Sequence, residues 1–190
     1  MNQFRLIVGL GNPGAKYATT RHNAGFWLLD KLSKMFEKTF SATPKFFGET
    51  SKIKISESVV HLLKPMTYMN DSGRSTLALA QFYKIEPNQI LVVHDEIDIK
   101  SGQIRLKKGG GHGGHNGLRD LHRVLGSDYA RLRIGIGHPG HKSKVHDHVL
   151  SRTNDEELTN INRAIVHSLH HIKSIVQDDW VQAMNELHQR

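Results

Sequence analysis

Apolar positions along this chain fall into short runs and longer stripes, and the two kinds alternate. Residues 4–8 (Phe4-Arg5-Leu6-Ile7-Val8) make a short run suited to a buried strand. Residues 24–36 carry Phe26, Leu29, Leu32, Met35 and Phe36 at helical spacing. Residues 45–47, 51–55 and 59–63 read as strands, and Ser56-Glu57-Ser58 between the last two suggests a hairpin connection. Ser72 is placed to cap a helix running to about Tyr83. Residues 90–93 are the clearest buried strand, with Asp95 just past their end. Residues 103–106 and 131–136 predict further strands, and 118–125 a helix. The last stripe joins Leu158, Ile161, Ile165, Leu169, Ile172, Val176, Trp180 and Met184, and predicts one long amphipathic helix packed on a sheet.

Strands alternating with helices argue for an α/β layer structure. The hairpin-like pair makes the sheet mixed rather than purely parallel. The expectation is a single domain over residues 1–190, with three layers and a twisted mixed β-sheet flanked by helices. No run of eighteen apolar residues occurs, so no membrane helix is expected. The N-terminal apolar run is too short for a signal-peptide core, and cytoplasm is the expected location. With no cysteine, disulfides, zinc–thiolate sites and cysteine nucleophiles are excluded.

The formal net charge of +8 favours a polyanionic partner. Its distribution says more than its size. Lys100, Arg105, Lys107 and Lys108 precede residues 109–117, Arg119 and Arg123 follow them, and Arg131, Arg133, Lys142 and Lys144 come next. Residues 109–117 read Gly-Gly-Gly-His-Gly-Gly-His-Asn-Gly, between an expected strand and an expected helix. Ordered glycines mark left-handed backbone or the close approach of a ligand. Polar side chains on such a loop read as a site.

Two further segments carry chemistry. Gly9-Leu10-Gly11-Asn12-Pro13-Gly14 matches a dinucleotide-binding glycine pattern in form only. The helix starts too late, and no acidic residue ends a second strand at the expected distance. On the same loop lies His22, which can pair with Asp95: the carboxylate would fix the imidazole tautomer and leave the other nitrogen to take a proton from water. Asn12, Asn70 and Asn116 each sit on a turn, and an amide can grip a peptide group or an oxyanion without carrying charge. His112 and His115, spaced H-x-x-H, leave open a metal site with Asp95. No serine nucleophile elbow is present.

In order along the chain, residues 8–14 with Tyr17, residues 20–25, residues 64–70 with Ser72-Gly73, His94-Asp95-Glu96 leading to residues 109–118, and residues 131–140 resemble the bacterial peptidyl-tRNA hydrolases. The blocks cover most of residues 4–150. The resemblance implies hydrolysis of the ester between a peptide and the 3′ ribose of tRNA, with no cofactor and no metal. By motif, it implies His22 as base, Asp95 as its partner and Asn12 beside them. Tyr17, Met69, Asn70, His115 and Asn116 would bind substrate. Arg105, Lys107, Arg133, Lys142 and Lys144 would contact tRNA. The partner is tRNA; no obligate protein partner and no membrane are implied, and the protein is expected to be a monomer. His138, His141, His146 and His148 fall where the family carries a basic gating loop. They suggest that tRNA affinity rises below about pH 6.5, where histidine gains charge. Two rival readings remain: a non-catalytic RNA-binding module, and a metal-dependent hydrolase using His112, His115 and Asp95.

Overall fold

The computed structural model describes residues 3–188. Seven strands form one mixed sheet: β1 (Leu6–Gly9), β2 (Ser41–Thr43), β3 (Gly48–Ile55), β4 (Ser58–Pro65), β5 (Ile90–Glu96), β6 (Ile104–Lys108) and β7 (Ala130–Gly135). Their order is β2-β3-β4-β1-β5-β7-β6. The central pairs β4–β1, β1–β5 and β5–β7 are parallel. The outer strands are antiparallel to their neighbours. Seven α-helices accompany them: α1 (Ala24–Met35), α2 (Ser72–Phe82), α3 (Asn116–Leu125), α4 (Val145–Val149), α5 (Asp155–His170), α6 (Ile172–Val176) and α7 (Trp180–His188).

The central strands are buried on both faces, which is why they read as unbroken apolar runs. On β1, Ile7 enters one core layer while Leu6 and Val8 enter the other. On β5, Leu91 and Val93 face the first layer, and Ile90 and Val92 the second. Leu28, Leu29 and Leu32 of α1 and Ile161, Ile165 and Leu169 of α5 close the first layer. Leu79 of α2 and Leu118 and Leu121 of α3 close the second.

The early glycines serve this packing rather than a nucleotide. A Cβ on Gly25, in the first turn of α1, would stand 2.5 Å from the Leu10 nitrogen and the Val93 oxygen. That close approach sets the start of α1 directly on β1 and β5.

Three expectations need correction. Residues 45–47 are not a strand: Pro44–Phe46 is a 3₁₀ turn and Phe47 is left-handed at φ 52°, while the strand lies earlier, at Ser41–Thr43. Pro44 presets the turn at its first position. Ser72 does not cap α2 but opens it, and its hydroxyl donates back to the Met69 carbonyl at 2.7 Å. The C-terminal stripe is three helices, not one. The chain breaks at His171 and again after Val176, where Asp178 is left-handed at φ 58°. The Phe4 N–H bonds the Val176 carbonyl at 2.9 Å and holds that corner against β1. Ile161, Ile165, Leu169, Ile172 and Val176 of the stripe still enter the first core layer, and Trp180 and Met184 pack against it, whereas Leu158 is exposed.

The C-terminal ends of β1, β4, β5 and β7 open along one edge of the sheet. Ligands in α/β folds gather at that edge.

Candidate active site

Four chain segments meet at this edge around a cavity of about 870 Å³. The loop after β1 brings Asn12, Tyr17 and His22. The segment after β4 brings Tyr68, Met69 and Asn70. The end of β5 brings Asp95 and Glu96, and the glycine loop brings His115 and Asn116. Lys142, Val145 and Val149 close the remaining side.

His22 sits in a 3₁₀ turn (Arg21–Asn23) just before α1. Its neighbour Arg21 pins that turn to α5, with Nε and Nη2 each donating to a Glu157 oxygen at 2.7 Å. Asp95 is the penultimate residue of β5, inside the strand rather than past it. The imidazole Nδ1 of His22 lies 2.9 and 3.0 Å from the two Asp95 oxygens. Both groups are almost fully buried, at 6% and 2% exposure. A buried carboxylate of this kind is stable only when paired and hydrogen-bonded.

Asp95 has a second partner. His115 Nε2 lies 2.9 Å from Oδ1, the oxygen that also faces His22. The tautomer of His115 follows from its other nitrogen. Nδ1 accepts from the Gly117 and Leu118 N–H groups at 3.1 and 3.3 Å and so caps α3. A nitrogen that accepts carries no proton, so Nε2 bears the hydrogen and donates it to Asp95. Both ring nitrogens of His115 are therefore spent inside the protein.

The charges follow from these contacts. Burial pushes the Asp95 carboxyl up, but His22 and His115 more than reverse this and hold it far below the usual carboxylate range. Burial pulls His22 down, and the charge and hydrogen bonds of Asp95 outweigh it, leaving His22 above the ordinary 6.5. Burial keeps His115 below that value. His94, behind them, is lowered to about 3 by burial and by the neighbouring His115 ring, and its Nδ1 bonds the Asp95 carbonyl at 2.7 Å. Among the described residues, His22 Nε2 has no protein partner and His22 lines the cavity. That nitrogen is the free end of the Asp95–His22 pair.

The three asparagines are not equivalent. Asn12 Oδ1 accepts the Met69 N–H at 2.7 Å. A backbone N–H can only donate, so the amide is fixed with its oxygen inward and its NH₂ left over. Asn23 grips the backbone of the same residue, accepting from Asn12 N and donating to Asn12 O, each at 2.9 Å. The side-chain oxygen of Asn116 is held from one side by Arg119 at 3.0 Å. Asn70 is exposed on the cavity wall. Only Asn12 is both buried and locked.

The cations form a separate group at the β7–β6 edge. Arg105 on β6 stands opposite Arg133 on β7, and Lys107 opposite Arg131. Arg133 Nη1 also approaches Glu96 at 3.7 Å. Lys142 and Lys144 lie apart from these, on a 3₁₀ turn, and of the two only Lys142 lines the cavity. In the histidine-rich segment, His138 and His146 line the cavity, whereas His148 Nε2 donates to the Ile136 and Gly137 carbonyls.

Sequence reasoning missed Arg21, Asn23 and Arg131 as site builders. Arg131 is buried; its guanidinium donates to the Gly111 carbonyl at 2.8 Å and to the Gly109 carbonyl. It thus shapes the glycine loop, where Gly109, Gly110, Gly113 and Gly114 all take positive φ. The signal was present: a charged residue flanked by the apolar Ala130 and Leu132 in a strand. The metal set of the rival reading, His112, His115 and Asp95, does not converge. His112 turns away, accepting from Gly114 N at 3.0 Å and leaning on the His122 ring. The described residues that do converge, within 4.8 Å, are His22, Asp95 and His115. Their facing atoms are the ones already joined by hydrogen bonds.

Known proteins resemble this chain along nearly its whole length. Residues 6–190 match the family model described as peptidyl-tRNA hydrolase. The peptidyl-tRNA hydrolase of Halorhodospira halophila (strain DSM 244 / SL1) is 53% identical over 186 residues, 97% of this chain and 96% of its own. That of Neisseria gonorrhoeae (strain NCCP11945) is 49% identical over 190 residues, 100% of this chain and 99% of its own. The crystal structure of peptidyl-tRNA hydrolase from Acinetobacter baumannii superposes with a TM-score of 0.96 at 50% identity, covering 100% of this chain and 96% of that one. Full-length likeness in sequence and in fold thus joins a buried His22–Asp95 pair beside a fixed amide, and the chain belongs to the peptidyl-tRNA hydrolase family.

Proposed function

We propose that this protein hydrolyses peptidyl-tRNA by metal-free general-base catalysis, with His22 as the base. The observation that carries this is the Asp95-held imidazole whose free nitrogen faces a cavity beside the locked Asn12 amide. His22 Nε2 takes a proton from a water, and the water oxygen attacks the acyl carbon of the ester. Negative charge then develops on the former carbonyl oxygen, and the Asn12 NH₂ donates to it. Collapse breaks the acyl–oxygen bond. The proton held on His22 goes to the departing 3′ oxygen, which leaves as the ribose hydroxyl. Peptide acid and free tRNA result. Asp95 keeps the proton of the resting imidazole on Nδ1 and stabilises the cation that forms.

His115 acts through Asp95 rather than on substrate, since neither of its nitrogens is available. Tyr17, Met69, Asn70 and Asn116 face the peptide. Arg105, Lys107, Arg133, Lys142 and Lys144 attract the phosphate backbone, which predicts affinity that falls with salt. The protein acts as a monomer in the cytoplasm, without an obligate protein partner. Among the described residues no helix is long and apolar enough to cross a membrane.

The test uses purified protein, N-acetyl-aminoacyl-tRNA, excess chelator and water enriched in ¹⁸O. The expected result is undiminished turnover, with the label in the carboxylate of the released amino acid. Loss of activity on chelation would favour a metal held by His22, Asp95 and His115. Binding of tRNA without turnover would leave an RNA-binding module.

A further inference from the structure

A second cavity, of about 580 Å³, continues from the first on the β4–β3–β2 side of the sheet. Tyr68 and Asn70 line both. Beyond them stand Thr43, Phe47, Met66 and Arg74. Its size is that of a built ligand pocket. Phe47 and Tyr68 are 38% and 61% exposed. The Arg74 guanidinium stacks over the Phe47 ring at 3.8 Å and, among the described residues, has no carboxylate partner. The result is a flat platform of one aromatic ring and one cation, in a cavity that Glu49 and Asp71 also line.

The strand order says what lies at each end. The catalytic groups sit at the ends of β1 and β5, in the middle of the sheet. The Arg105–Arg133 and Lys107–Arg131 pairs lie on β7 and β6, at one edge. The second cavity lies at the opposite edge. An ester held in the middle has nucleic acid on one side and peptide on the other. The cation-rich side suits the phosphates, so the peptide runs toward Phe47. From Asn12 after β1 to Phe47 beside β3 is two strand spacings, about 10 Å, or about three residues of extended chain.

We infer that the groove beyond Tyr68 is a peptide subsite that takes the second and third residues upstream of the ester and favours an apolar or aromatic side chain on the Phe47–Arg74 platform. This rests on the esterase reading above, and its test separates the two. Two substrates with the same tRNA and the same esterified amino acid are compared: N-acetyl-aminoacyl-tRNA, and N-acetyl-tripeptidyl-tRNA with Phe farthest from the ester. The parent is expected to cleave the tripeptidyl substrate with kcat/KM about fivefold higher, the worth of one aromatic contact. Phe47→Ala and Arg74→Ala are expected to abolish that advantage while cleaving the short substrate at the parental rate. Both positions are exposed, so a folding defect would appear as loss on both substrates; a circular dichroism melt of each variant checks this. Cleavage of the short substrate with no length preference in the parent overturns the subsite and leaves the esterase reading intact. A preference that survives both substitutions also overturns it. A folded variant that loses activity equally on both substrates would place nucleotide rather than peptide on the platform. Cleavage of neither substrate by the parent overturns both readings.

Discussion

Replacing Asp95 by Asn tests the electrostatics and the tautomer together. The substitution removes one charge and one acceptor while keeping the shape. Two ring N–H groups converge on Asp95 Oδ1, from His22 and His115, each at 2.9 Å. His115 cannot change tautomer, because its Nδ1 is held by two backbone N–H groups. The new amide must therefore put its oxygen at the Oδ1 position. Its NH₂ then falls at the Oδ2 position, 3.0 Å from His22 Nδ1, donor against donor. His22 relieves the conflict by moving its proton to Nε2, the nitrogen that should attack water's proton. In a serine-protease triad the same exchange lowers kcat by roughly 10⁴, and a loss of about 10²–10⁴ is expected here. The charge has a second effect. A carboxylate about 4 Å away contributes about 4 kcal/mol at an effective dielectric of 20, all of it in favour of the charged imidazole. His22 now lies above 6.5 because that attraction beats burial. Without it, burial alone acts, and the midpoint drops below 6.5. The sign for activity follows, since the neutral imidazole is the working form. The acid limb of the parent rises through a pH above 6.5, and that of Asp95→Asn through a lower one. Single-turnover cleavage of N-acetyl-aminoacyl-tRNA from pH 5 to 9 reads both. An Asn variant within tenfold of the parent, with an unmoved limb, would refute this reasoning.

Other substitutions separate the remaining roles. Asn12→Asp keeps an acceptor for the Met69 N–H but replaces the oxyanion donor with a repelling oxygen; kcat is expected to fall about 10²–10³-fold, measured with saturating substrate. His115→Ala removes a donor to Asp95 and the N-cap of α3. Steady-state profiles should show a lower kcat and an acid limb moved to higher pH, because Asp95 then concentrates its charge on His22; an altered KM alone would make His115 a substrate contact. Arg133→Ala should weaken tRNA binding and lower the slope of log affinity against log salt by about 1, with single-turnover kcat kept; nitrocellulose filter binding over a salt series measures it.

The sheet was legible because strands buried on both faces leave unbroken apolar runs, as β1 and β5 do. The segment at residues 45–47 was not, since its turn depends on a proline and a left-handed Phe47. Nor were the breaks in the C-terminal stripe: no proline or glycine marks them, and the apolar period passes straight through. At the site, residue type and loop position pointed to His22, to Asp95 and to Asn12, Asn70 and Asn116 alike. Direction did not show. That His115 donates to Asp95 depends on two backbone N–H groups at the start of α3. That Arg21 braces the His22 turn depends on Glu157, 136 residues away. Such contacts exist only once the chain is folded, as does the Met69 N–H bond to Asn12 Oδ1 that distinguishes Asn12 from the two amides that share its cavity.

The most direct test of the central claim is the His22→Ala variant, assayed for single-turnover cleavage of N-acetyl-aminoacyl-tRNA alongside its affinity for that substrate. The account predicts cleavage reduced by about 10²–10⁴-fold with affinity nearly unchanged. Cleavage at the parental rate would contradict it.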